Sequence, residues 1–542
     1  MEVPDQEGVT AMPQNKFDVC VIGSGAGGGT LAAELARAGA SVVLIEAGTR
    51  RDPAKLHTHS WPYEQVKSEV PPVSADPNKE PVEYTGDPVG VGRGRVLGGR
   101  TTHWNAVSLR FSVDDFREWS VNGVEENWPI SYQELAPYYD RAEQLMVVCG
   151  TKENLEVLPD GKFIRPLPLR CSEKVLGRAV EKLRMRVIPV RKALATEPGH
   201  GRLPCHHCGH CMQGCGVAAI FNTAEHVIPQ ALETGRLTVR SGWMARELLT
   251  NDEGEVRAAV VFDRESRKQD EIRADVFAVC GGNIESARLL LNSRSRRFPN
   301  GLANSNDVVG RYLHGHIIAE VHGYLKDFVG VKPVNQDGAI DHAYIPRFTP
   351  PRQPRYSGGF GIQLNVRSYM SPHHAPHVPG YGKVFKKRVR DLHPAHTAAV
   401  GYGKVMGHPH NRVTLHASRK DAYGLPVPHV NFRWRPNDLE MYRAMLESCH
   451  EIYEAAGVAF KNETRDGPSG FAAHDVGCVR MGEDPKTSVL NRFNQSHEVK
   501  NLFVVDGSSF TTFPEKNPTL TIVALAMRAA ESIMNLRRRR DL

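Results

Sequence analysis

The feature that most constrains this chain lies near its start. Phe17–Ile22 is a short apolar run suited to a buried parallel strand, and it leads directly into Gly23-Ser24-Gly25-Ala26-Gly27-Gly28. A helix-like stretch, Thr30–Ala38, closes at Gly39, and a second apolar run, Ser41–Ile45, ends at Glu46. Together they read as a βαβ unit with G-x-G-x-x-G at its turn, and Glu46 stands 18 residues after Gly28. Gly23, Gly25 and Gly28 let the backbone approach a pyrophosphate, whose charge the helix N-terminus favours. Glu46 offers an acceptor to an adenosine ribose. In that order the pieces predict a dinucleotide site; the alternative is a glycine-rich turn that merely packs.

The rest of the chain must be large enough to build on that unit, and it is. Its 542 residues, 40% hydrophobic and 24% charged, have the balance of a soluble globular protein and exclude a fibrous or disordered chain. A net charge of +7 is mild at this length, so nucleic acid is not implied. The longest charge-free apolar candidate, Val19–Ala33, carries five glycines and falls short of the roughly 20 residues a membrane span needs. The acidic start (Glu2, Asp5, Glu7) shows no signal peptide, which predicts a cytoplasmic protein or one exported with a signal-bearing partner subunit.

Residues 1–15 are expected to be disordered, and 50–95, rich in proline and charge, to run over the surface. Tyr132–Val148 predicts an amphipathic helix. Leu237–Ser241, Val256–Phe262 and Glu271–Val279 predict a small β insertion, with a tight turn at Cys280-Gly281-Gly282 before a helix at Ile284–Asn292. Residues 330–410, with ten prolines, are loop-rich, and substrate contacts are expected in 330–400. Asn501–Asp506 predicts another buried strand, and a helix should follow Pro518 to about Arg537. Arg537–Arg540 open a basic tail (537–542). The terminal strands are expected to share one parallel sheet, with a second domain inserted between them.

Four of the ten cysteines fall within eleven residues: Cys205, Cys208, Cys211 and Cys215. Thiolates spaced C-x₂-C-x₂-C-x₃-C suit an iron–sulfur cluster, although the ferredoxin pattern ends in Cys-Pro and here Gly216 follows. His206, His207 and His210 add ligands that keep structural zinc as a rival, and a site without metal is the third reading.

The motifs together resemble the glucose–methanol–choline family of flavin-dependent alcohol oxidoreductases. The resemblance covers most of the chain. It runs through the Gly23–Glu46 unit, Gly98-Gly99-Arg100-Thr101-Thr102-His103-Trp104-Asn105, Cys280-Gly281-Gly282 with Ser286–Leu290, and Gly310-Arg311-Tyr312-Leu313. It continues in His474 with Arg480-Met481-Gly482, in Val505-Asp506-Gly507 and in Asn517-Pro518-Thr519-Leu520-Thr521. It implies an α/β fold (α+β overall): a Rossmann-like FAD-binding domain with an interleaved sheet-based substrate domain. The expected division is 16–320 mainly FAD-binding, 321–470 mainly substrate-binding, and 471–536 returning to the FAD domain.

The nearest branch is that of the bacterial sugar and sugar-acid dehydrogenases, including glucoside 3-dehydrogenases and gluconate dehydrogenase flavoproteins. Some of these carry a C-x₅-C-x₃-C cluster, which Cys205, Cys211 and Cys215 match, with Cys208 as an extra thiol; the cluster would be 3Fe-4S or 4Fe-4S. In some members the histidine of the Thr101–Trp104 motif, here His103, holds FAD covalently, whereas others hold it noncovalently, the form expected here. Met244 falls where the family sets an apolar residue against adenine. Pro518 and Thr519 open the helix that faces the flavin.

The resemblance also implies the catalytic pair. His474 would take the hydroxyl proton, its ordinary pKa lying near working pH. Asn517 would donate a hydrogen bond to the oxygen as charge develops. The expected function is hydride transfer from a secondary or hemiacetal hydroxyl of a sugar, glycoside or sugar acid. Electrons would pass through the cysteine site to an external acceptor, a small subunit or cytochrome. The alternatives are an oxygen-reducing oxidase with structural cysteines and a noncatalytic nucleotide-binding protein.

Overall fold

A computed structural model describes residues 16–56, 74–332, 340–348, 356–364, 375, 378–463, 467–471 and 474–542. The disorder expected for 1–15, and part of the loop-rich stretch 330–410, lie outside the described residues.

Among the described residues, two seven-stranded sheets organise the chain. The first is built on β1 (Phe17–Ile22), α1 (Ala26–Arg37) and β2 (Val42–Glu46). β1 and β2 are parallel, with Val19 opposite Val42, and Leu237–Ser241 continues the parallel set beyond β2. On its other side β1 pairs with Ala274–Val279, and Leu502–Val504 pairs in parallel with Phe277–Val279. The N-terminal and C-terminal strands therefore share one parallel sheet. Their apolar runs follow from burial on both faces.

The predicted β insertion is not a separate piece. Gln269–Val279 is one long strand: its first half pairs antiparallel with Val256–Asp263, which pairs with Trp243–Thr250, and its second half is central to the parallel sheet. Trp243–Thr250 gives no strand signal in the sequence because a register shift between Ala245 and Glu247 interrupts its two-residue alternation.

The second sheet is antiparallel, in the order Val458–Glu463, His316–Leu325, His396–Lys404, Phe360–Leu364, Ala343–Ile345, Ile188–Pro189. Ser469–Gly470 pairs with Ile317–Ile318. The strand His316–Leu325 crosses the 320/321 boundary drawn from the sequence. Helix Pro436–Ala455 covers this sheet with Met441, Met445, Cys449 and Ile452, a three-to-four-residue spacing that keeps them on one face.

Residues 50–95 do more than cross the surface. Glu83–Gly86 pairs in parallel with Pro426–Phe432, and Glu80 is fully buried. The C-terminal helix, Thr519–Arg539, packs on α1 and on helix Tyr132–Met146. Its length and apolar composition would suffice to cross a membrane, but 11 of its residues are buried inside the protein, as in a core helix. The basic run expected as a tail begins inside this helix, and Arg537 pairs with Asp18 at 2.5 Å and Asp275 at 3.2 Å.

Candidate active site

A cavity opens at the carboxyl ends of β1, β2 and Gln269–Val279, where open α/β sheets bind their ligands. Its floor is the glycine turn. Gly23 has φ +103°, and a Cβ on Gly28 would fall 1.9 Å from the Gly23 carbonyl oxygen, so the helix can follow the strand this closely only with glycine there. A Cβ on Gly25 would meet nothing within 4 Å; that residue faces open space. Gly25 is also the N-cap of α1, with no side-chain cap and no acidic residue in the first turn, which leaves the positive end of the helix turned to the cavity.

Glu46 lines this cavity and also locks the turn. Its carboxylate accepts from the Ser24 N–H (3.0 Å), the Ser24 hydroxyl (2.7 Å) and the Gly48 N–H (2.7 Å). Burial pushes its pKa up against these bonds and the nearby Arg95. The Ser24 Oγ in turn accepts from the Gly98 N–H at 2.9 Å, which ties the second glycine turn to the first. Gly98 and Gly28 sit behind the cavity wall, whereas Gly23, Gly99, His103, Trp104 and Asn105 line it.

His103 is held neutral: burial first, then Arg100 and Arg51, push its pKa down to about 4. Trp104 donates its indole N–H to the Phe221 carbonyl at 2.8 Å, and Asn105 donates to Asp341. Met244 lines the cavity and packs with Phe262 and Leu425. Asp506 joins two turns by accepting from the Gly282 N–H (2.9 Å), Ser286 Oγ (2.6 Å), Ser508 N–H (2.8 Å) and Ser508 Oγ (2.6 Å). Gly281, Gly507, Pro518 and Thr519 also lie on the wall, with Pro518 as the N-cap of the C-terminal helix.

His474 and Asn517 meet on the same wall, 43 positions apart in the chain. His474 Nε2 lies 3.3 Å from Asn517 Nδ2. His474 is placed by the second sheet, where Ser469–Gly470 pairs with Ile317–Ile318 and the Phe471 N–H donates to the His316 carbonyl at 2.8 Å. Burial, then His316 and Arg100, hold the His474 pKa well below its ordinary value, so the ring is neutral and able to accept a proton.

Several residues at the site carry no signal in the sequence. His316 and Gln363 stand behind the pair, at 3.0 Å from His474 Nδ1 and 3.0 Å from Asn517 Oδ1. Arg93 and Arg95 reach the cavity from the 74–95 segment and pair with Glu285 at 3.0 and 3.1 Å. Burial raises the Glu285 carboxyl, but Arg95, Arg288 and Arg93 outweigh it and keep the group ionised. Ser24 shows in the sequence only as the variable position inside the glycine motif.

The cysteine cluster does not form the expected metal site. Among the described residues no three His, Cys, Asp or Glu side chains are placed to hold a metal ion. Cys205, Cys208, Cys211 and Cys215 are free thiols along a chain that turns at His207 (φ 62°), Gly209 (φ 70°) and Gly214 (φ 114°). Burial pushes the Cys205 thiol up to about 12 and the Cys208 thiol up to about 11. Met212, between them, lines the cavity; the four cysteines do not.

For a flavin dinucleotide the fit is good. An open glycine cradle, an uncapped helix start for the pyrophosphate and a buried acid at the end of β2 lie in one cleft. The arrangement can hold such a group and, beside it, remove a proton at His474 Nε2.

Comparison with known proteins agrees. The family described as GMC oxidoreductase matches residues 8–318 with its N-terminal part and 408–526 with its C-terminal part. The chain is 31% identical to the 2-methyl-1,2-propanediol dehydrogenase of Mycolicibacterium austroafricanum, over 96% of this chain and 95% of that one. It is 27% identical to the fructose dehydrogenase large subunit of Gluconobacter japonicus, over 96% and 98%. Its fold resembles the crystal structure of pyridoxine 4-oxidase from Mesorbium loti, with a TM-score of 0.66 and 18% identity over 96% of this chain and 99% of that one.

Proposed function

The chain belongs to the GMC oxidoreductase family, and from that premise we propose that it oxidises a secondary or hemiacetal hydroxyl of a sugar, glycoside or sugar acid and delivers the electrons to a separate carrier. FAD-dependent oxidation of alcohol or sugar-type substrates is the activity of the family. The observation that carries the reading is the His474–Asn517 contact on the wall of the nucleotide cavity.

FAD, when bound, supplies the acceptor for the hydride. The chain supplies the rest. His474 Nε2 forms a bond to the hydroxyl proton as the O–H bond breaks, and the hydrogen on the same carbon departs with its electron pair, leaving a carbonyl. Asn517 Nδ2 donates to the oxygen while negative charge develops there. Burial leaves His474 neutral at neutral pH, the protonation state from which a general base starts.

The fructose dehydrogenase relative supports a sugar, and its designation as a large subunit supports a partner for electron removal. The propanediol dehydrogenase supports a simple diol as the second reading. Anaerobic flavin bleaching by a panel of sugars, glycosides, sugar acids and 1,2-diols decides between them. Bleaching by a carbohydrate, faster with a dye acceptor than with oxygen at turnover, is expected. Bleaching by diols alone would overturn the substrate, and faster turnover with oxygen would overturn the carrier. His474→Ala should retain FAD and slow bleaching by about 10²–10⁴; an unchanged rate would remove His474 from the chemistry.

A further inference from the structure

We propose that His316 is a positioning residue that fixes the tautomer of His474, so that the bare nitrogen of His474 is Nε2, the one facing Asn517 and the cavity. The inference rests on the reading of His474 as proton acceptor. His316 is the first residue of the strand His316–Leu325 and is fully buried. Its ring stacks on Phe513 with centroids 4.4 Å apart and meets His474 edge-on at 5.0 Å. It does not line the cavity.

Each ring nitrogen of His316 has its own partner. Nε2 lies 2.8 Å from the Pro514 carbonyl oxygen, and Nδ1 lies 3.0 Å from Nδ1 of His474. A carbonyl oxygen only accepts, so His316 Nε2 carries the hydrogen. Burial keeps the ring neutral, its pKa pushed down to about 4, so His316 Nδ1 is bare. The hydrogen between the two rings must then belong to His474 Nδ1. Because His474 is also neutral, its Nε2 holds a lone pair.

The same logic acts on the partner. Gln363 Nε2 donates to Asn517 Oδ1 at 3.0 Å, which leaves the Asn517 amino group facing His474 and the cavity. When His474 Nε2 takes a proton, the existing Nδ1–H bond to His316 becomes charge-assisted and strengthens as positive charge grows on the ring. His316 thus acts twice, by selecting the reactive nitrogen beforehand and by stabilising the protonated ring afterwards.

The test uses full-length protein with histidine nitrogens labelled with ¹⁵N, the His474 signals being assigned by their loss in His474→Ala. At neutral pH, two-bond nitrogen–proton correlations should show Nδ1 protonated and Nε2 bare; the opposite pattern overturns the proposal without any kinetic measurement. His316→Phe keeps the stacking on Phe513 but removes the acceptor. It should populate the other tautomer and slow flavin reduction by about 10- to 100-fold, as when a metal-bound histidine loses the partner that orients it, with KM within about twofold. His316→Gln, which can still accept and donate, should recover most of the rate. A wild-type rate in His316→Phe, or no recovery in His316→Gln when both variants bind FAD, overturns the role. Retained activity in His474→Ala would instead refute the proposed base while leaving the tautomer measurement intact.

Discussion

Asn517 sits between two neighbours, with one end of its amide held by Gln363 and the other facing His474. Truncation to Ala removes a donor whose value is greatest when the substrate oxygen is charged. Asn517→Ala is therefore expected to slow single-turnover flavin reduction by about a hundredfold, on the order of 3 kcal/mol, with a smaller effect on substrate binding. In the proposed step both residues act on one oxygen, so the double mutant with His474→Ala should lose less than the product of the single losses. Strict multiplicativity would show that the two do not share an atom. At this scale the sequence is only partly legible. His474 and Asn517 stand out through the motifs around them, since nothing in a count of 24 histidines separates one from another. His316 is invisible there because its meaning lies in its partners: His474 is 158 positions away and Pro514 is 198. A strand residue pointing inward looks the same whether it meets core or catalyst.

The glycine turn between β1 and α1 gives a contrast between two neighbouring positions. A Cβ at Gly28 would collide with the Gly23 carbonyl oxygen at 1.9 Å, whereas at Gly25 it would enter empty space beside the helix start. Gly28→Ala should therefore lower the melting temperature of the apoprotein and abolish FAD binding together. Gly25→Ala should fold with a near-normal melting temperature and weaken FAD retention on gel filtration, because the added methyl occupies the approach to the helix N-terminus. Equal loss of stability in both would contradict the placement of Gly25 on the cavity. Largely buried elements, such as Phe17–Ile22 and the first four turns of Thr519–Arg539, are legible because an apolar run is stable only where the fold covers it. Trp243–Thr250 is not, since its bulge shifts the face that each side chain presents. The cysteine run marks the limit of spacing as a signal: it says how far ligands can reach, whereas the turns at Gly209 and Gly214, which also shape the run, belong to the fold.

The whole molecule buries several histidines in the uncharged state, and that has a cost in acid. His103, His226 and His316 each have a folded pKa pushed down to about 4, by burial above all. In the unfolded chain they titrate near 6.5. Between these values the unfolded state binds protons that the folded state refuses, so stability falls as pH drops from about 6.5 towards 4 and is insensitive to these groups above 6.5. The melting temperature, measured with saturating FAD, should be level from pH 7 to 8 and decline steadily below 6.5; a flat profile down to pH 5 would contradict their burial. A last consequence follows from the three chain segments that share the parallel sheet. Leu502–Val504 completes a seam that Phe277–Val279 leaves open, and the helix that covers α1 comes later still. A ribosome therefore releases the first half of the dinucleotide fold long before its closing strand exists. Until then an apolar edge is exposed to other chains. Cofactor capture therefore waits on a strand made late in synthesis, and a chain stopped before Leu502 would keep that edge unpaired.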